Sequence, residues 1–390
     1  MKFASITSRL SSLGSEKWAV HIEARQRAAA GEKFIFLSIG DPDLPPAEAL
    51  LNVARQQLRI GRVGYTPGNG DLKVLQSLSR HYTRQTGRAI TPQQFLCVQG
   101  TQNALYLAFQ AILELGDEVL LFDPYYATYE AVIVAPGGKP VPVPLNPDRG
   151  FHMDIDAMAG AITAKTRAIL LNSPSNPTGT VFTAAEVNAI GDLAKKHDLW
   201  IVSDEVYSPL VYGDNIFTSP FSDKSLEERT IVVSSISKSH AVPGFRCGWI
   251  AASEEFCARV LPISETMLFG SQGFLEDALA FALDNEFVEN TVIYSAYAAR
   301  ANVLVDSLAA SNRVRTRMPE GGMFVMVDVR PTGLSGNAFA RKLLAEEKVV
   351  TMPGESFGAA SAGHLRVALT VAEDQLAEAA KRILRVANSV

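Results

Sequence analysis

The sequence predicts an α/β protein: a large domain with a mostly parallel sheet sandwiched by helices, joined to a smaller α/β domain. Three observations predict it. Short, nearly continuous apolar runs recur through the middle of the chain, at residues 95–98, 119–122, 140–143, 168–171, 199–202, 230–233 and 248–252. Helical patterns, such as residues 103–115 and 184–197, lie between several of them. Past residue 275 the pattern changes to long helical stretches with isolated strands.

A strand covered on both faces has no wet side, so apolar runs without alternation fit a parallel sheet between helices. Residues 275–309 read as largely helical, 322–329 as a strand, 337–347 as a helix and 365–369 as another strand. Residues 372–388 close the chain as an Ala-rich helix. The expected division is an N-terminal arm and part of the small domain at 1–45, a large domain at 46–280 and a small C-terminal domain at 281–390. A chain of 390 residues has room for two or three units of about 150 residues each. Proline and glycine clusters are short and fall between periodic segments, as turns do.

Composition narrows the function. Hydrophobic residues make up 47% of the chain and charged residues 20%, enough for a sizeable core. The formal net charge of -5 gives no reason to expect nucleic acid or an anionic membrane as partner. The three cysteines, Cys97, Cys247 and Cys257, fit neither a disulfide framework nor a CxxC pair, which points to a reducing cytoplasm. No HExxH or Cys/His cluster suggests a metal site. The N-terminal stretch lacks the apolar core of a signal peptide, and no run of 18 apolar residues is present.

Open parallel sheets bind ligands at the carboxyl ends of their strands. After 95–98 comes Gln99-Gly100-Thr101-Gln102; after 119–122, Asp123-Pro124-Tyr125-Tyr126. After 168–171 comes Asn172-Ser173-Pro174-Ser175-Asn176-Pro177; after 199–202, Ser203-Asp204-Glu205-Val206-Tyr207. After 230–233 comes "SSISKSHAVPGFRCGW", with Lys238 and Arg246.

Each edge has a chemical reading and a plainer one. Thr101 and Gln102 open a helix, whose free N–H groups and dipole attract a phosphate; alone they are a capped helix start. Ser235 and Arg246 can add a hydroxyl and a guanidinium fork. No GxGxxG or GxxxxGK[ST] motif occurs. A lysine in a partly desolvated site beside a cation loses its proton more readily, and the free amine forms a Schiff base with an aldehyde. Alone, Lys238 is also an ordinary surface residue. Asp204 can face a pyridinium nitrogen and keep the ring an electron sink, or simply cap the next helix. Tyr207 and the Asn176 amide can reach one ring oxygen, although Asn176 also suits a turn. Tyr126 offers a flat face to an aromatic ring or to the core. Together these edges describe one ligand with a phosphate, a pyridine nitrogen, a ring oxygen and an aldehyde.

Ser235-Ile236-Ser237-Lys238 with Arg246 and Gly248, and Asn176-Pro177-Thr178-Gly179 followed by Asp204-Glu205-Val206-Tyr207, resemble the class I/II, fold-type I aminotransferases. The resemblance covers nearly the whole chain and implies a fold-type I transferase that uses pyridoxal 5'-phosphate. It implies that Lys238 holds the cofactor aldehyde and later moves the substrate proton. Asp204 would pair with the ring nitrogen, and Tyr207 and Asn176 with the ring hydroxyl. Ser235, Arg246 and the backbone at Thr101 and Gln102 would hold the phosphate, with Tyr126 stacked on the ring. Tyr65, in "GYTPGNGDLKVL", matches a tyrosine lent to the neighbouring subunit's phosphate, which implies a homodimer with shared active sites. Arg366, in "GHLRVALT", matches the arginine that grips the substrate α-carboxylate. Gly40, in "SIGDPDL", matches a glycine beside the substrate.

For the substrate, dicarboxylate-specific members place a second arginine near the segment matching "SETMLFGSQGF", and residues 264–274 contain none here. The expected donor is therefore a non-dicarboxylic amino acid, arginine first, with pyruvate or another 2-oxo acid as acceptor. A guanidinium would want a carboxylate, for which Glu16, Asp41 and Glu265 are candidates. Trp18 is a candidate wall of the substrate pocket or a packed N-terminal anchor. An aspartate/aromatic-type aminotransferase or a C–S lyase would use the same lysine, aspartate and arginine. A cofactor-binding transcriptional regulator would need an added DNA-binding domain.

Overall fold

The computed structural model describes residues 1–11, 13–14 and 16–390. Seven strands form one sheet: β1 (Phe95–Val98), β2 (Glu118–Asp123), β3 (Lys139–Pro144), β4 (Thr166–Asn172), β5 (Trp200–Asp204), β6 (Thr230–Ser235) and β7 (Gly248–Ala251). Their order is β1-β7-β6-β5-β4-β2-β3. Only β7 runs against its neighbours, pairing antiparallel with β1 and β6; the other neighbouring pairs are parallel. The mostly parallel sheet between helices expected from the sequence is what the chain forms.

The period-2 geometry of a strand sorts the apolar runs into two packed faces. Val119, Leu121, Ala168, Leu170 and Val202 share one cluster with Ala104, Leu105 and Ala108 of helix Thr101–Ile112. Leu120, Phe122, Ile169, Leu171 and Ile201 share another with Val187, Ile190 and Ala194 of helix Ala184–His197. That second helix starts at a reciprocal cap. The Thr183 hydroxyl accepts from the Glu186 N–H at 3.2 Å, and the Glu186 carboxylate accepts from the Thr183 N–H at 2.7 Å.

A second sheet lies toward the C-terminus: β8 (Arg315–Thr316), β9 (Phe324–Asp328), β10 (Met352–Pro353) and β11 (His364–Ala368), ordered β10-β11-β9-β8 with antiparallel pairing. Val20, Ala24 and Leu37 from the N-terminal segment share its core with Val325, Val327, Leu365, Leu376 and Ile383. The helical stretch at 275–309 is two helices, Gly273–Asp284 and Val288–Leu308. Between them the Asn285 amide donates to the Phe281 carbonyl at 2.8 Å, and Phe287 packs its ring 5.7 Å from Phe281 and 5.8 Å from His240. Tertiary packing of that phenyl ring, invisible to helical periodicity, breaks the run. Among the described residues, no helix is long and apolar enough to cross a membrane.

Candidate active site

The carboxyl ends of β1, β2, β4, β5 and β6 converge on a cavity of about 230 Å³. Thr101, Gln102, Tyr126, Asn176, Asp204, Tyr207, Ser235, Lys238 and Arg246 all line it, as do Gly40, Arg366 and Trp18 from outside the main sheet. Of the cofactor- and substrate-binding residues that the resemblance implies, Tyr65 is the one that lies elsewhere. It is 87% exposed, its ring edge-on to Phe269 at 5.9 Å.

Lys238 follows β6, and its amine donates to the Gly40 carbonyl at 2.6 Å. Position 40 must be glycine, because a Cβ there would collide with the Phe324 ring. Burial pulls the Lys238 amine down to about 8; Asp41 opposes this, and the cations Arg366 and Arg246 reinforce it. At pH 8 about half the amine is then free, against about 0.3% for an ordinary lysine.

Asp204 ends β5 and is 4% exposed. Its carboxylate accepts from the Tyr129 hydroxyl at 2.8 Å and the Val206 N–H at 3.2 Å. No cation pairs with it among the described residues. Burial lifts it to about 6, against the pull of those two hydrogen bonds. Tyr207, pushed well up by burial, is hydrogen-bonded by the Asn176 side chain.

Helix Thr101–Ile112 points its N-terminus at the cavity. Gly100, with φ +86°, makes the turn into it. The Thr101 hydroxyl donates to Ser235 Oγ at 3.0 Å, and Arg246 donates to the Gln99 carbonyl at 3.0 Å. Gly248 lets the crossing strand approach, since a Cβ would sit 2.7 Å from the Gly100 backbone.

Arg366 is 1% exposed, with its guanidinium carbon 4.2 Å from the Phe324 ring centre and 4.5 Å from that of Phe357. It donates to Asn176 Oδ1 at 2.8 Å and to the Ser38 carbonyl at 2.5 Å. Its Nε is a buried donor without a partner. A guanidinium has five N–H donors, so a forked set stays free for an anion. Burial lowers it to about 10, with Tyr207 and Tyr126 opposing, so it stays charged at neutral pH.

The cavity thus lines Lys238, Arg246 and Arg366 against the single carboxylate of Asp204. Arg366 is buried, Lys238 half-buried and Arg246 exposed at the rim, and a buried cation without a carboxylate partner calls for an anion. A larger crevice of about 710 Å³, lined by Phe151, His152, Arg317 and His364 among others, lies elsewhere. Its charges are largely paired, His152 with Glu186 and Glu320, and Arg330 with Asp148 and Asp328. The smaller cavity is the one with a reactive amine.

Some lining residues were not evident from the sequence. Tyr129 lies three residues past Tyr126, one helical turn on, and that spacing was the available signal. Ser38 and Phe357 carried none. Trp18 combines its two candidate roles: it lines the cavity and packs on Ala127, Met352 and Phe357. Asp41 and Glu16 are exposed and, like Glu265, do not line the cavity.

This fold and cavity define a transaminase. The family model for aminotransferase class I and II matches residues 32–383, and the chain belongs to that family. It is 39% identical over 383 residues to arginine–pyruvate transaminase AruH of Pseudomonas aeruginosa, spanning 98% of this chain and 97% of that one. It is 31% identical over 392 residues to an aspartate aminotransferase of Bacillus subtilis, spanning 99% and 98%. A solved aspartate aminotransferase of Thermus thermophilus, a double mutant, superposes with a TM-score of 0.93 at 30% identity, covering 99% of this chain and all of that one.

Enzymes of this family use pyridoxal 5'-phosphate. The donor set here fits that cofactor: an excess of cations for its phosphate, an unpaired buried carboxylate for a ring N–H, and a buried amine for its aldehyde.

Proposed function

We propose that this enzyme moves the α-amino group of a non-dicarboxylic L-amino acid, arginine foremost, to a 2-oxo acid such as pyruvate. The bound cofactor supplies an aldehyde that condenses with amines and a ring that accepts electrons. The chain's residues then divide the work. Lys238 anchors the cofactor and carries the proton to and from the substrate Cα. Asp204 holds a proton on the ring nitrogen, and Tyr129 and the Val206 N–H fix its carboxylate. Tyr207 and Asn176 would meet the ring hydroxyl, and Tyr126 would offer its flat face to the ring. Thr101, Gln102, Ser235 and Arg246 take the phosphate. Arg366, with Asn176 and the Gly40 backbone beside it, takes the substrate carboxylate, and Trp18 walls the pocket.

One observation carries the substrate reading. Once Lys238, Arg246 and Arg366 are assigned, the lining has no cation left for a second substrate carboxylate. Residues 264–274 contain no arginine or lysine either. The named activity of the Pseudomonas relative supports arginine and pyruvate. A panel of amino acids with pyruvate and with 2-oxoglutarate tests it. Arginine with pyruvate is expected to lead, and aspartate with 2-oxoglutarate leading by orders of magnitude would refute it.

The enzyme is read as a cytoplasmic homodimer with shared active sites. The exposed ridge of Val63, Tyr65, Leu268 and Phe269 supports a partner there, because single chains rarely leave such apolar side chains together in water. The division at residues 1–45, 46–280 and 281–390 is proposed on the same footing, supported by the separate 7-stranded and 4-stranded sheets and by the pairing of Ile35–Phe36 with Val349–Val350.

Arg366→Ala is expected to raise the KM for the amino donor about ten- to a hundredfold, the scale of lost hydrogen bonds to a charged group. Its effect on kcat should be smaller. Steady-state kinetics with both substrates varied checks this, and an unchanged KM would remove Arg366 from the carboxylate role.

A further inference from the structure

We propose that Asp123 is a positioning residue for the substrate carboxylate, acting through the turn that carries Phe357; this rests on reading Arg366 as the carboxylate receptor. Asp123 ends β2 and is 4% exposed. Its side chain leaves the large sheet and reaches the turn at 354–361. One carboxylate oxygen accepts from the Ala359 N–H at 3.0 Å, and the other from the Ala360 N–H at 3.2 Å. Two residues on, the Tyr125 N–H donates to the Phe357 carbonyl at 2.9 Å. Three hydrogen bonds therefore tie the edge of the large sheet to one short turn.

The turn is shaped around that carboxylate. Gly358 sits at φ +137°, and a Cβ there would collide with the Asp123 oxygens. No ion pair joins the carboxylate among the described residues, so its visible task is to receive two backbone N–H groups. A carboxylate is an acceptor at both oxygens. An amide of the same size accepts at one and turns a donor toward the other N–H.

What the turn delivers is the Phe357 ring, fully buried, against the Arg366 guanidinium. Phe324, from β9, makes the second ring contact with the guanidinium. A planar guanidinium in contact with two rings loses its set direction if one ring shifts. The same turn also holds the pocket wall: the Ser356 hydroxyl donates to the Lys17 carbonyl at 2.7 Å, next to Trp18. Asp123 touches neither Lys238 nor Asp204, so its loss should disturb the substrate carboxylate more than the cofactor.

The test uses the holoenzyme. Asp123→Asn removes one acceptor without changing size. Gly358→Ala displaces the turn from its other partner. Both are expected to raise the KM for the amino donor about tenfold, with kcat within about twofold and the cofactor dissociation constant unchanged. Arg366→Ala is measured in parallel. An unchanged KM in both turn variants, with a raised KM in Arg366→Ala, overturns the role of Asp123 alone. An unchanged KM in Arg366→Ala overturns the receptor reading beneath it. Loss of cofactor affinity or of folded protein together with substrate affinity marks Asp123 as a structural residue only, and also overturns the proposal.

Discussion

Lys238→Ala is expected to lower kcat/KM by more than about 10⁴-fold while the protein stays folded, because proton transfer and the covalent anchor are lost together. The fold survives because the amine makes one hydrogen bond, to the Gly40 carbonyl, and burial already works against it. The pH dependence has a definite sign. The folded-state value of about 8 lies below the ordinary 10.5, so between them the unfolded chain binds more protons than the folded one. Stability contributed by this site therefore rises with pH through that window. Below pH 8 its cost is fully present, on the order of 3 kcal/mol. Lys238→Met, which keeps the side-chain volume, should raise the melting temperature of the cofactor-free protein at pH 7, and the gain should shrink as pH climbs from 8 to 10.5. A melting temperature that falls at pH 7 would mean the amine is stabilising and the burial reading is wrong.

Much of this site was legible because its residues stand directly after apolar runs. Asp204 ends β5, Asn176 follows β4 by a few residues, and Lys238 follows β6. In a parallel sheet those positions must meet at one edge, so a linear reading becomes a spatial one. The surroundings of Arg366 follow no such rule. Its carbonyl partner, Ser38, is 328 residues away in the chain, and its ring neighbours come from β9 and from the turn at 354–361. Neither periodicity nor spacing encodes a contact across that distance. The break between helices Gly273–Asp284 and Val288–Leu308 was hidden for a related reason, since it depends on where Phe287 packs. Tyr65 stands out only through its motif and lies on the surface of the single chain, so the role proposed for it would require a second subunit.

Asp204→Asn should retain the cofactor and lose about 10²- to 10⁴-fold in kcat, the scale of breaking a buried charge pair. The residues proposed to take the phosphate, Thr101, Ser235 and Arg246, do not include Asp204, so the cofactor dissociation constant should change much less than kcat. The carboxylate is oriented from two sides, by Tyr129 and the Val206 N–H, and has no cation of its own. Burial, which disfavours the unpaired charge, raises its pKa to about 6. On the proposed reading, a protonated ring nitrogen would supply the missing partner, and pairing with a cation draws a carboxylate's pKa down. An asparagine keeps the shape and the Tyr129 contact but cannot hold that proton on the ring. Tyr129→Phe is the control. It removes one orienting hydrogen bond and leaves the charge, so its loss should be about tenfold, well short of that from Asp204→Asn. Single-turnover rates of amino transfer in the three proteins separate the two effects. Wild-type rates in Asp204→Asn would show that the charge of this residue is not what the reaction uses.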